Sequence, residues 1–245
     1  MSLKSLGRLI AAVGVLSFLG ACTTAVKVPM NNEFWSQTDR SVTVALAKLP
    51  DTAAHKVGQQ GLLDIAINNA MADDLGKSLK AITLHDSYGQ TRSEVVRRLS
   101  EKGIKSNVSE KMIDVAALPD FSGQDTSRAY ASKDFRSMKA DLGGADRLLL
   151  FTVIAVGTQR SYYGFIPTSK PVAMLRARGE IIDLQTNEVL WRDDTSNIAG
   201  IGEPWDQPPE FSNVNIAVQR VISDARNAMI GKLFAGSAFP TPAGK

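Results

Sequence analysis

One cysteine, Cys22, and two histidines, His55 and His85, are the residues of this chain best suited to ligate a transition metal or to serve as nucleophile and base near neutral pH. A zinc site needs several such ligands at close spacing, and neither histidine has a Cys or His three or four residues on. There is no Gly-x-Ser-x-Gly elbow to carry a hydrolase serine. Gly76-Lys77-Ser78 has the ending of a phosphate loop, but Met71 occupies the place of the first glycine. Asp73 and Asp74 are adjacent, and side chains one step apart on a helix diverge by about 100°, so the pair does not converge on one ligand. Asp120, Asp125, Asp134 and Asp141 would suit Ca²⁺ or glycan hydrolysis only if the fold gathered them, and their spacing does not require that. The expectation is a protein without a catalytic set, metal or cofactor. An enzyme acting on envelope polymers, with those aspartates gathered in a cleft, stands as a third and weaker reading.

The position of Cys22 accounts for its being alone. Lys4 and Arg8 precede an uncharged apolar run over 9–21. That run is too short for a bilayer span of about 20 residues and has the length of a signal-peptide core. It ends in Leu19-Gly20-Ala21-Cys22, which resembles the bacterial lipoprotein signal at each of its four positions. The resemblance implies removal of residues 1–21, thioether lipidation of Cys22 and acylation of its new amino group. Thr23 stands where an aspartate would favour the inner membrane, so the resemblance implies outer-membrane anchoring with the domain facing the periplasm. Residues 22–38 are expected to form the lipidated tether, 39–235 one α/β domain and 236–245 a disordered tail.

Composition agrees with one globular domain: 44% of residues are apolar and 22% charged. The net charge of +3 falls to about +1 once Lys4 and Arg8 are removed. No stripe of Lys and Arg marks a nucleic-acid surface, and Arg97-Arg98 suits a solvated helix face.

The segment 162–167 is the strongest candidate for contact with a partner. Tyr162, Tyr163, Phe165 and Ile166 are large apolar residues in what reads as a loop over 158–170, and aromatic residues are enriched where binding energy concentrates. Trp205, among Pro204, Pro208 and Pro209, is a second candidate. Phe34-Trp35 would suit either a membrane-interface anchor or packing on the domain, and packing is the more ordinary fate.

Apolar periodicity gives the elements that must position these residues. A strand is expected over 41–49, with Val42, Val44 and Leu46 on one face. Helices are expected over 58–80 and 91–102, the second capped by Thr91 with Glu94 and stopped by Gly103. A break is expected at Ser87-Tyr88-Gly89. A short strand over 104–108, a helix over 132–142 and a strand over 147–157, apolar enough to be buried on both faces, follow. Strands over 171–183 and 189–195 should form a hairpin about Thr186, setting Ile181 opposite Trp191, Glu180 opposite Arg192 and Arg178 opposite Asp194. An amphipathic helix over 213–233 closes the chain. The order β-α-α-β-α-β-β-β-α makes an α/β (α+β) fold, a mixed sheet with helices packed on it.

Gly144-Ala145-Asp146, the apolar strand over 148–153, and Asp183 with Thr186 and Val189-Leu190-Trp191 together resemble a stretch found in periplasmic lipoproteins. These carry domains of the curli-secretion-channel, Tol amino-terminal or penicillin-binding-protein-activator type. The resemblance covers about fifty residues. It implies an α/β domain without enzymatic activity that binds or scaffolds another envelope protein, or, alternatively, a subunit of a homo-oligomeric secretion or transport assembly. The membrane barrel of the channel type needs strands of about 9–11 residues, and the short, proline-bearing segment over 158–170 leaves no room for them.

Overall fold

A computed structural model describes residues 26–59, 73–123, 125–208 and 210–235. Its centre is one seven-stranded mixed sheet with helices packed on it. The expected fold class is therefore what the chain adopts, by a somewhat different order of elements.

The spine is a single strand, β4 (Arg147–Tyr163). Its first half is a run of aliphatic residues buried on both faces, as expected. Along one edge it pairs in parallel with β1 (Val42–Leu46) through residues 147–151, then with β2 (Ala53–Gln59) through 157–163. Two successive strands thus share one edge of β4. Backbones come very close where the second begins. A Cβ on Gly157 would lie 2.0 Å from the Ala53 carbonyl oxygen, and one on Gly58 would lie 2.1 Å from that of Tyr162. Both glycines have φ above +110°, which a side chain would strain. Outside β1 lies β3 (Ser106–Val108), also parallel. On its other edge β4 pairs antiparallel with β6 (Val172–Asp183), and β6 with β7 (Val189–Gly200). The two-residue β5 (Ile166–Pro167) folds back on the end of β4.

One face of this sheet carries the main core. Helix α1 (Glu33–Ser36), α2 (Asp73–Lys80), α3 (His85–Glu101) and α4 (Ser212–Phe234) contribute to it. The stripe expected on the last helix, from Val214 to Leu233, is buried against the sheet. Burial of each large side chain there contributes about 1.5–3 kcal/mol. The other face is covered only over the first half of β4, where Phe135, Leu142 and Ile113 pack on Leu148, Leu150 and Ile182.

The hairpin of β6 and β7 has the expected register at all three pairs, with Arg192 Nε 2.6 Å from Glu180 and Arg178 Nε 2.7 Å from Asp194. Gly103, at φ +77°, ends α3 as expected: the N–H groups of Gly103 and Ile104 donate back to Ser100 and Leu99.

Several expectations are corrected. Residues 53–59, expected to lead into and begin a helix, form β2, because pairing with β4 outweighs local pattern; residues 60–72 lie outside the described ones. No break occurs at Ser87-Tyr88-Gly89. Tyr88 is buried in the core and α3 runs through it, so Thr91 is interior and its hydroxyl donates to the Ser87 carbonyl. Glu94 makes no capping box. Hydrogen bonds from Arg97 and Arg98 hold it and push its pKa down to about 2. The helix expected over 132–142 is only a 3₁₀ turn at Arg136–Met138. Strand β1 is buried on both faces rather than one. The segment expected as a loop over 158–170 is mostly strand, since β4 continues to Tyr163.

Two buried polar residues fix the less regular part of the chain. Asn187, fully buried at φ 65°, donates to the carbonyls of Ala131 and Lys133 and accepts from the N–H of Phe135. Asp183 accepts from the N–H groups of Gln185 and Thr186 and from Arg40 at 2.8 Å. Burial alone would raise the Asp183 pKa, but these donors outweigh it and hold the group below the usual carboxylate value.

Asn187→Ala leaves three backbone groups, two of them in fully buried bonds, without this partner, and urea unfolding should show a loss of about 3 kcal/mol. Asn187→Gly, which keeps the backbone conformation, should lose a comparable amount; full recovery by glycine would show that φ and not the bonds matters. Because Asp183 is depressed, the folded state takes up its proton later than the unfolded chain as pH falls, so stability should decline below about pH 4. In Asp183→Asn that acid limb should be flatter, and an unchanged slope in urea titrations from pH 5 to 3 would contradict the assignment.

Candidate partner-binding surfaces

Beyond Val153 the strand β4 changes its neighbours. Its register against β6 shifts between Val153 and Ala155, a bulge that leaves Ile154 unpaired and 44% exposed. After the bulge, Val156, Thr158, Arg160 and Tyr162 continue the helix-covered face, and the residues between them point to the other side. Two surfaces result, back to back.

The first is a cleft of about 380 Å³ on the helix-covered side. Tyr162, Phe165, Trp205, Pro167 and Phe211 line it, with His55, Lys56, Asp74 and Asp206 also contributing. Arg160 joins two of its walls. The guanidinium carbon lies 4.9 Å from the Trp205 ring and 5.9 Å from the Tyr162 ring, while Nε donates to the Ser169 carbonyl at 2.8 Å. The return of the hairpin is fastened by the N–H of Ser161 to Ser169 Oγ (3.0 Å) and the N–H of Thr168 to the Ser161 carbonyl (2.9 Å). Lys170 reaches Glu203 at 2.6 Å, and Asn213 at the start of α4 donates to the Pro204 carbonyl at 3.0 Å. These bonds bring the connection that carries Trp205 against the hairpin. A stacked cation of this kind contributes about 0.5–1 kcal/mol where exposed.

The second surface is the opposite face of the sheet. Tyr163 and Ile166 pair across the hairpin turn and are 69% and 54% exposed. Val57 on β2, Ile154 on β4 and Ile198 on β7 are exposed on the same side. Five of the nine exposed large apolar residues among the described ones fall on this face, enough to make a patch where scattered singles would mean little.

The five residues singled out from sequence are thus divided. Tyr162, Phe165 and Trp205 meet in the cleft, whereas Tyr163 and Ile166 face the other way. Arg160, Phe211, Val57, Ile154 and Ile198 were not singled out. Arg160 stands two residues before Tyr162, and period-two alternation would have flagged it once the strand was known to continue. Ile154 carried no such signal, because it sits in a run that reads as wholly buried. Cys22 lies outside the described residues.

Other candidates are dispersed. His55 is on β2, its Nε2 3.1 Å from the Val156 carbonyl oxygen, and His85 begins α3. Gly76, Lys77 and Ser78 lie within α2. Asp120 pairs with Lys133, Asp125 with Arg128 and Asp134 with Arg136. Among the described residues no group of three or more His, Cys, Asp or Glu is placed to hold a metal ion, and no helix is long and apolar enough to cross a membrane. Phe34 is buried and Trp35 packs 5.7 Å from the Phe234 ring, so this pair is spent on its own domain.

No protein-family model matches the chain, and no curated protein matches it either. Solved structures give distant likenesses. Protein XCC0632 from Xanthomonas campestris is 12% identical, with 87% of this chain and 94% of that one covered at a TM-score of 0.38. Lipoprotein GNA1162 from Neisseria meningitidis is 15% identical, with 76% and 99% covered at 0.29. A minor lipoprotein from Acinetobacter baumannii is 10% identical, with 81% and 94% covered at 0.31.

Arg160→Ala should release the hairpin from Trp205. Amide exchange in residues 161–169 should quicken while that of α4 stays as it is, with global stability lower by about 1 kcal/mol. Equal exchange in both proteins would mean that the guanidinium is not what joins the two walls.

Proposed function

We propose that this chain is a non-catalytic lipoprotein of the bacterial envelope, held at the outer membrane by lipid on Cys22 and facing the periplasm, that binds another envelope protein through the cleft. The signal over 1–22 supports the location. Each buried methylene of an acyl chain contributes about 0.8 kcal/mol, and two or more chains give lasting attachment. The observation that carries the binding reading is the convergence of Tyr162, Phe165 and Trp205, from separate segments, on one open cleft. Such a site offers large, stiff apolar side chains at little entropic cost, with Lys56, Arg160, Asp74 and Asp206 near enough to orient a polypeptide.

Crosslinking in cells tests both parts. The processed protein should begin at Cys22, carry lipid by mass analysis and yield a crosslinked partner. Cys22→Ala should be released from the membrane. Trp205→Ala should stay on the membrane and lose the crosslink about tenfold, the loss expected for a residue worth over 1 kcal/mol. An unmodified thiol removes the anchoring, and a crosslink undiminished in Trp205→Ala together with Phe165→Ala removes the cleft.

A further inference from the structure

The sheet face opposite the cleft has no covering element among the described residues, and its chemistry is one-sided. Its strand residues beyond the Arg178–Asp194 pair include Val57, Ile154, Tyr163, Ile166 and Ile198, and none is a carboxylate. Its exposed charge is Arg176, a cation.

The attachment of the chain aims at this same end. Val28 forms an antiparallel bridge with Arg192 on the outer edge of β7, with both hydrogen bonds made. Lys27 therefore leaves in the direction in which β7 proceeds, and it meets Asp193 at 2.7 Å. Arg192 is level with Glu180, and Glu180 with Leu150. From that level to Tyr163 is about 40 Å along β4. Cys22 lies six residues before Val28, within about 20 Å at full extension.

We propose that this uncovered face rests on an anionic phospholipid bilayer, with Tyr163 and Ile166 at the headgroup level and Arg176 beside the phosphates. The proposal rests on lipidation of Cys22. Val28 then stands no more than about 20 Å above the surface, and with the hairpin in contact the sheet lies within about 30° of the membrane plane. Apolar side chains interspersed with a cation are the composition of an interfacial contact, and a second contact beside an acyl anchor adds to its hold. The cleft, on the other side of the sheet, is left open to the periplasm.

The test uses the full lipidated protein, whose Cys22 is the only native cysteine. Introduced thiols at Ile198→Cys and Ile166→Cys, and at Ile216→Cys on the exposed side of α4, are labelled with a fluorophore. Each variant is reconstituted on vesicles of phosphatidylethanolamine and phosphatidylglycerol with brominated chains. Quenching at 198 and 166 should exceed that at 216 by about two-fold or more, and Arg176→Glu should reduce the difference. Equal quenching at all three positions overturns the proposal while flotation with the vesicles leaves the Cys22 reading intact. Shielding of 198 only when an envelope protein is added assigns the face to that protein and likewise overturns it. Loss of flotation overturns both.

Discussion

A long central strand must satisfy three neighbours at once, and the rest of the molecule follows from how it does so. Strand β4, 17 residues long, pairs with β6 from Arg147 to Gln159 on one edge and with β1 and then β2 on the other. Two parallel strands can follow one another along that edge only if the second approaches as closely as the first. The hydrogen at Cα of Gly157 and Gly58 makes the space. The bulge at Ile154 falls between the two pairings, where the register against β6 shifts. It adds one residue to β4 and preserves the alternation that keeps Val156 and Thr158 over the helices.

Covering the sheet unevenly is the second consequence. The helices occupy one face from end to end, whereas the irregular segment between β3 and β4 reaches only the first half of the other. That segment is held by short-range turns of its own and fastened to the sheet by the buried amide of Asn187 and by the Ile113 backbone bonds to β1 and Lys48. Arg147 serves the same end of the sheet. It is fully buried, bonded to Gln37 and placed 5.0 Å from the Phe34 ring, so it joins α1 to the start of β4. Burial lowers its pKa, with the neighbouring Arg40 adding to the effect. Apolar packing at this end is thus specified by a few polar side chains that have only one arrangement available.

The far half of the sheet is left with a front and a back of different character. The front is concave, aromatic and edged by charges of both signs. The back is flatter, apolar and without carboxylates. One hairpin supplies both, because successive residues of a strand point to opposite sides: Tyr162 serves the cleft and Tyr163 the other face. With the lipid proposed at Cys22, two such surfaces would let the protein meet a bilayer and a soluble partner without either contact obstructing the other.

Much of the architecture was legible from local pattern. The last helix, the hairpin register and the buried first half of β4 depend on contacts that repeat at fixed spacing. The errors fell where long-range pairing decided conformation. Residues 53–59 have no strong strand pattern and become a strand because β4 offers an edge. Residues 132–142 have helical spacing but serve as a lid for the core, and Tyr88 is drawn into a helix by the pocket that receives it. By itself the sequence determined the fold class, the absence of a motif for catalysis and the aromatic character of 162–167. Only the tertiary structure decided that Trp205 joins Tyr162 and Phe165 while Tyr163 and Ile166 turn away, since the side of a sheet on which a residue lies depends on register with strands far off in the chain.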